Sequence, residues 1–198
     1  DNTDKYFKDV LTVDENKKIN FLLKNLVDHL EKKKIKYFIC FGTLLGAIRH
    51  GFRMPWDDDI DILINKEEIN KLLNGLKVIK KNKNDKHYYL NKKIKIIHKN
   101  WGCPLKIMLN DKSFPFIDIF TYYNKNNNII VPRSQLANSH VIELNEKYED
   151  IFPLKKAKFN DLILNIPRNY KKVLKKLYGV KALDECVITW NHKMSKNQ

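Results

Sequence analysis

The sequence predicts an α+β domain, a mixed β-sheet flanked by helices. Three observations carry this: a long amphipathic stretch near the start, short apolar runs of strand length through the middle, and a basic helical stretch bounded by Pro and Gly near the end. The chain has 198 residues, 43% of them hydrophobic, which suits one domain with its own core. Residues 1–198 are therefore read as one unit with helical segments at 1–35 and 150–198.

The elements follow in order. From Asp14 to Lys34, Leu22, Leu23, Leu26, Val27 and Leu30 recur at helical spacing while lysines cover the other face. Tyr37–Phe41 is an aromatic-rich run that reads as a strand. Gly42 and Thr43 break it and open a short helix, Leu44–His50, which Gly51 ends. Asp59–Ile64 alternates acid and aliphatic, the pattern of a strand with one wet face. Asn65 and Glu68 mark the start of a helix running to about Leu76. Tyr88–Leu90, Ile94–His98, Leu105–Leu109 and Phe114–Tyr122 read as strands, and the polar residues 82–86 and Asn126–Asn128 as loops. Pro167 starts and Gly179 stops a basic helix carrying Val173, Leu174 and Leu177.

Charge and cysteine content narrow the function classes. The formal net charge of +15 would attract nucleic acid, anionic membranes or phosphorylated substrates. The excess is mostly lysine, scattered along the chain among many Asn and Ile residues, the mix of an AT-rich genome, so nucleic acid is not the expected partner. Cys40, Cys103 and Cys186 lie far apart with no zinc-type spacing and read as buried thiols in a reducing, cytoplasmic setting. No apolar run approaches the roughly 18 residues of a membrane span. The chain starts at Asp1, which leaves a trimmed leader or anchor open.

The chemistry concentrates between Gly42 and Ile64, GTLLGAIRHGFRMPWDDDIDILI. Asp57, Asp58, Asp59 and Asp61 place four carboxylates within five residues, and like charges so close repel. Residues two apart in a strand share a face, so Asp57, Asp59 and Asp61 point one way if the strand begins that early. Asp58 then points the other way beside Ile60 and Ile62, and is expected at an exposed strand start or against a cation. Converging carboxylates need a counter-charge, and a hard divalent cation, Mg²⁺ (or Mn²⁺), suits oxygen ligands. The bland alternative is a solvated acidic turn. The preceding strand, Gly-Thr turn and helix favour the site, because a helix N-terminus offers N–H groups to a phosphate. Within Phe116-Ile117-Asp118-Ile119-Phe120 one acid sits among apolar neighbours. Asp118 is either a third metal ligand on an adjacent strand or an edge residue facing solvent.

The stretch GTLLGAIRHGFRMPWDDDIDI resembles the signature of the LicD/fukutin family, a branch of the nucleotidyltransferase superfamily. The superfamily pattern is a Gly-Ser/Thr turn, a strand with two alternating acids, and one acid on a later strand. Gly42-Thr43, Asp59-Ile60-Asp61 and Asp118 match it in order. Phe152-Pro153-Leu154, Phe159, Ile166-Pro167 and Leu177-Tyr178-Gly179 follow in the family's order, and Trp190 and His192 resemble its C-terminal end. The chain lacks the cysteine insert of some animal relatives and resembles a minimal catalytic domain.

The resemblance implies a nucleotidyltransferase fold and transfer of an alcohol phosphate, such as phosphocholine or ribitol phosphate, from a CDP-linked donor to a glycan hydroxyl. In that reading Asp59 and Asp61 hold Mg²⁺ against the donor pyrophosphate, and Asp57 is a further ligand or orders a metal-bound water. Asp118 joins the metal site or accepts the proton of the attacking hydroxyl. Gly42, Thr43 and Lys106 face donor phosphate, while Arg49 and Arg53 either pair with it or balance the aspartates. Trp56 stacks on base or sugar, or simply packs. Two rival readings use the same residues differently: transfer of a nucleoside monophosphate onto a small molecule, protein or RNA, and a non-catalytic basic module for nucleic acid.

Overall fold

The structure is a computed structural model that describes residues 9–82, 85–99, 103–132, 135 and 144–184; Cys186, Trp190 and His192 lie outside them. The chain opens with helix α1 (Val13–Lys32), then β1 (Tyr37–Ile39), α2 (Phe41–His50) and β2 (Asp61–Asn65). A 3₁₀ turn (Lys66–Glu68) leads into α3 (Ile69–Leu73). Strands β3 (Lys77–Asn82), β4 (Asp85–Tyr89), β5 (Ile94–Lys99), β6 (Leu105–Leu109), β7 (Phe116–Lys125), β8 (Asn128–Ile130) and β9 (Asn145–Lys147) follow. The short helix α4 (Tyr148–Ile151), a hairpin of β10 (Lys155–Phe159) and β11 (Leu162–Ile166), and helix α5 (Tyr170–Tyr178) are the last of the described elements.

Helix α1 forms where its pattern predicts. Thr12 caps it, its hydroxyl accepting from the Glu15 N–H at 3.2 Å while the Glu15 carboxylate accepts from the Thr12 N–H at 2.8 Å. The apolar stripe Ile19, Leu22, Leu23, Leu26, Val27 and Leu30 is buried. Lys34 takes a left-handed φ of 52°, which ends the helix two residues before the expected end.

The sheet is mixed, as expected. Its described strands run β1-β2-β7-β6-β5-β4-β3, with β8 on β7 and β9 on β8. The β2–β7 pair is parallel and β1–β2 and β6–β7 are antiparallel. The core cluster draws on α1, β1, α2, β2, β7, β11 and α5, so the centre of the sheet is covered rather than wet.

Several boundaries differ from the sequence reading. Helix α2 begins at Phe41, so Gly42 and Thr43 lie in its first turn instead of preceding it. Strand β2 begins at Asp61, not Asp59, and Ile62, Leu63 and Ile64 are all buried. These three consecutive side chains alternate between the two faces and all lie in the core cluster, so β2 is covered on both faces and the expected wet side is absent. Residues 82–86 are not one loop: β3 reaches Asn82 and β4 starts at Asp85. Helix α3 stops at Leu73, and α5 starts three residues after Pro167. The segment read as helical also holds the β10–β11 hairpin.

Candidate active site

The site forms where two strands lie side by side. β2 and β7 run parallel in a register that pairs Asp61 with Asp118. The Asp118 N–H donates to the Ile60 carbonyl at 2.9 Å, fixing the two acids at the start of the ladder. Asp59 precedes β2. One ligand atom from each of Asp59, Asp61 and Asp118 can be chosen so that all lie within 4.8 Å of one another. The same holds for Asp57, Asp58 and Asp59, so Asp59 belongs to both groups. Asp58, expected at an exposed strand start or against a cation, is only 1% exposed, which removes the first of these.

Helix α2 fixes the other side. The chain leaves β1 through Cys40 and turns at Phe41, whose φ of +51° is unusual for a bulky residue. The Phe41 ring packs edge-on against Phe120 at 5.5 Å, which holds this turn against β7. A Cβ on Gly42 would lie 2.3 Å from Asp57 Oδ2, so only glycine lets that carboxylate rest on the first turn of α2. A Cβ on Gly46 would meet the Phe52 carbonyl at 2.5 Å and the Met54 nitrogen at 2.9 Å. That glycine lets the connection to the acids cross the helix closely.

Other site residues take positioning tasks. The buried Thr43 hydroxyl accepts from the Asp61 N–H at 2.8 Å, tying α2 to the first residue of β2. Arg53 is 5% exposed and is engaged within the chain. Its guanidinium donates to the carbonyls of Met54 at 2.7 Å and Asp57, and to the side chains of Asp9 at 2.5 Å and Asn16 at 3.0 Å. It shapes the turn that presents the acids, and its charge partly offsets that of Asp57. Trp56 is buried in the core cluster, which is the packing alternative. Arg49 is half-buried in the last turn of α2.

Lys106 does reach the site. Register on β6 places it opposite Asp118, its Nζ lies 2.5 Å from Asp118 Oδ1, and the ammonium sits 3.7 Å above the Phe116 ring. Gly42, Asp57, Asp59, Asp61, Lys106 and Asp118 are thus brought together.

The electrostatics show what the cluster lacks. Burial, then the charge of Asp59, pushes the Asp57 carboxyl well above the usual carboxylate range. Asp61 is pushed up in the same way by burial and then by Asp59, Asp57 and Asp118, with Lys106 opposing. Two residues to which the sequence reading gave no chemistry also belong here. The Tyr178 phenol, at the end of α5, is pushed well up by burial and then by Asp61 and Asp57. The half-buried Cys103 thiol is pushed up by burial and by Asp118. Periodicity placed Tyr178 on a helix; only tertiary packing brings that helix to the acids.

Fold and site together define a class: an α+β domain that gathers carboxylates from adjacent parallel strands beside a helix N-terminus. Within that class the profile for the LicD/FKTN/FKRP nucleotidyltransferase domain matches residues 34–169, and the chain belongs to this family. It is 32% identical over 111 residues to the lipopolysaccharide cholinephosphotransferase LicD of Haemophilus influenzae, covering 50% of this chain and 40% of that protein. It is 24% identical over 159 residues to the human ribitol 5-phosphate transferase FKRP, covering 78% of this chain and 30% of that protein. The chain thus spans less than half the length of either relative. A crystal structure of ANT(2″)-Ia in complex with adenylyl-2″-tobramycin is similar at 11% identity and a TM-score of 0.44, over 89% of this chain and 83% of that one, a likeness too weak to carry an argument.

Proposed function

We propose that the chain is the catalytic domain of a metal-dependent phosphotransferase of nucleotidyltransferase fold. It moves an alcohol phosphate or sugar phosphate from a nucleotide-activated, CDP-type donor to a glycan hydroxyl. The observation that carries this is the convergence of Asp59, Asp61 and Asp118 within 4.8 Å in a chain whose relatives are named for cholinephosphate and ribitol phosphate transfer.

The residues fit Mg²⁺ or Mn²⁺. The donor set is wholly carboxylate oxygen, which suits a hard divalent cation. The strongly raised Asp57 and Asp61 mark a pocket short of positive charge. Asp59, Asp61 and Asp118 would hold the ion, with Asp57 a further ligand or the group that orders its water. When bound, it supplies neutralisation of the donor pyrophosphate and of charge developing on the leaving nucleotide.

The chain's own groups supply the rest. The first turn of α2 at Gly42 would receive donor phosphate, beside the Asp57 carboxylate that rests on it. Lys106 can exchange its contact with Asp118 for a phosphate oxygen, whereas Arg49, in the last turn of α2, lies at the end of that helix away from the phosphate. Asp118 then either stays a ligand or takes the proton from the acceptor hydroxyl. Thr43, Arg53 and Trp56 hold these groups in place.

Product analysis with CDP-choline and CDP-ribitol tests the reading. Release of CMP together with a phosphate-alcohol on the acceptor is expected, and a nucleotidylated acceptor would replace it with nucleoside monophosphate transfer. Asp59→Asn and Asp61→Asn should each reduce turnover by roughly 10³-fold with the fold retained. Unchanged turnover in either variant contradicts the metal-site assignment.

A further inference from the structure

Outside the acid cluster, a hollow among the described residues combines concavity with a single sign of charge. A cavity of about 410 Å³ is lined by Lys155, Arg168, Asn169, Tyr170, Lys171 and Lys172. Its cations come from three places: the start of β10, the link after β11, and the first turn of α5.

The wall is anchored from behind. The Arg168 N–H donates to the Ile151 carbonyl at 3.0 Å and the Asn169 N–H to the Asp150 carbonyl at 2.8 Å. The buried Asp150 carboxylate accepts from Asn169 Nδ2 at 2.6 Å and from Lys172 Nζ at 2.5 Å. Asp150 therefore neutralises Lys172. Among the described residues no carboxylate forms an ion pair with Lys155, Arg168 or Lys171. Lys155, Arg168 and Lys171 are exposed, so water and salt screen their mutual repulsion, and an anion held among them would be attracted by all three. Lys155 lies 5.9 Å from the Tyr170 ring, so one wall is an aromatic face. The volume exceeds that of a bare phosphate and accommodates an attached sugar or polyol, whose C–H face an aromatic ring can pack against.

We propose that this cavity is a second anion site, separate from the acid cluster, that takes a phosphate ester carried on a sugar or polyol. Arg168 supplies bidentate pairing to the phosphate, Lys155 and Lys171 flank it as point charges, and Tyr170 receives the carbon skeleton. Position gives the site its use. Helix α5 runs from this cavity to Tyr178 beside the acids, a length of about 12 Å at the helical rise. An acceptor bearing a phosphate ester could be held at one end of α5 while its hydroxyl reaches the other. That acceptor role rests on the transfer reading above; the anion site does not.

Amide chemical shifts of the full chain, titrated with inorganic phosphate, glucose 6-phosphate and glucose at fixed ionic strength, test it. Saturable shifts at residues 168–172 are expected with both phosphates, tighter with glucose 6-phosphate and absent with glucose. Arg168→Gln combined with Lys171→Gln should weaken them by at least about tenfold, leaving the β2 and β7 amides unmoved. Shifts spread over the lysine-rich surface, or unchanged in the double variant, overturn the site. Vesicles of phosphatidylglycerol form a second arm: perturbation of residues 168–172 by vesicles but by neither soluble phosphate replaces the cavity with a membrane-facing surface and also overturns it. Neither result depends on turnover, so failure of the Asp59→Asn test and failure of this one are separable.

Discussion

Asp61 and Asp118 stand opposite each other on parallel strands, with Asp59 and Asp57 close by, and each added negative charge raises the pull for a proton or a cation. Because the folded chain keeps protons on Asp57 and Asp61 at pH values where the unfolded chain has released them, folding binds protons in that window. Their contribution is therefore fully present below the ordinary carboxylate pKa, near pH 4, and is lost as pH rises through the raised values. The melting temperature of metal-free protein should fall between about pH 5 and about pH 7.5, and Mn²⁺ should restore it more at the higher pH, where fewer protons compete. Asp61→Asn should flatten the pH dependence and blunt the response to Mn²⁺. Thermal unfolding at both pH values, with and without Mn²⁺, measures this; a Mn²⁺ response that Asp61→Asn leaves intact would count against the cluster. Asp57, Asp58, Asp59 and Asp61 were legible as a cluster because they are neighbours in sequence, although β2 begins only at Asp61; Asp118 joined them as one of two alternatives and through the family resemblance. The tasks of Arg53 and Thr43 were not legible, since their partners Asp9, Asn16 and Asp61 lie many residues away.

Helix α2 is the element that turns a run of acids into a site. Two of its glycines face close neighbours, but of different kinds, and this separates function from stability. Gly42→Ala would place a methyl against the Asp57 carboxylate, a side chain that can swing aside. It should leave the melting temperature nearly unchanged and weaken Mn²⁺ binding by about tenfold or more. Gly46→Ala meets backbone atoms of Phe52 and Met54, which cannot move cheaply. It should destabilise the fold by about 2 kcal/mol, read from denaturant unfolding. Equal effects of the two on stability would contradict this division. The helix itself was visible in the sequence, but its start was misplaced: Gly-Thr reads as a break, and nothing local announces that Phe41 accepts a positive φ. The β10–β11 hairpin was missed for a related reason. KKAKF has three lysines in five residues and only Phe159 is buried, so its strand character comes from pairing with Leu162–Ile166 rather than from an apolar pattern.

At the scale of the whole molecule the sheet order explains why the motif is split across the chain. β2 and β7 are neighbours in space although four strands, β3 to β6, lie between them in sequence, so the third acid must arrive late. The middle strands extend the sheet away from the site, and β6 returns to present Lys106 beside Asp118. This is why the mixed class and six of the eleven described strands were readable from apolar runs while the remaining strands and the full order were not: order is decided by which edges pair, and β2 is paired on both sides. The same topology leaves the acids at the end of β2 and β7 nearest α2, where the proposed donor phosphates would meet that helix. Crystals of the chain grown with Mn²⁺ and a CDP-linked alcohol, measured for the anomalous signal of manganese, test this most directly. The account predicts a manganese peak within about 2.5 Å of carboxylate oxygens from at least two of Asp59, Asp61 and Asp118. A bound nucleotide with manganese held elsewhere, or with those three carboxylates turned away from it, would contradict it.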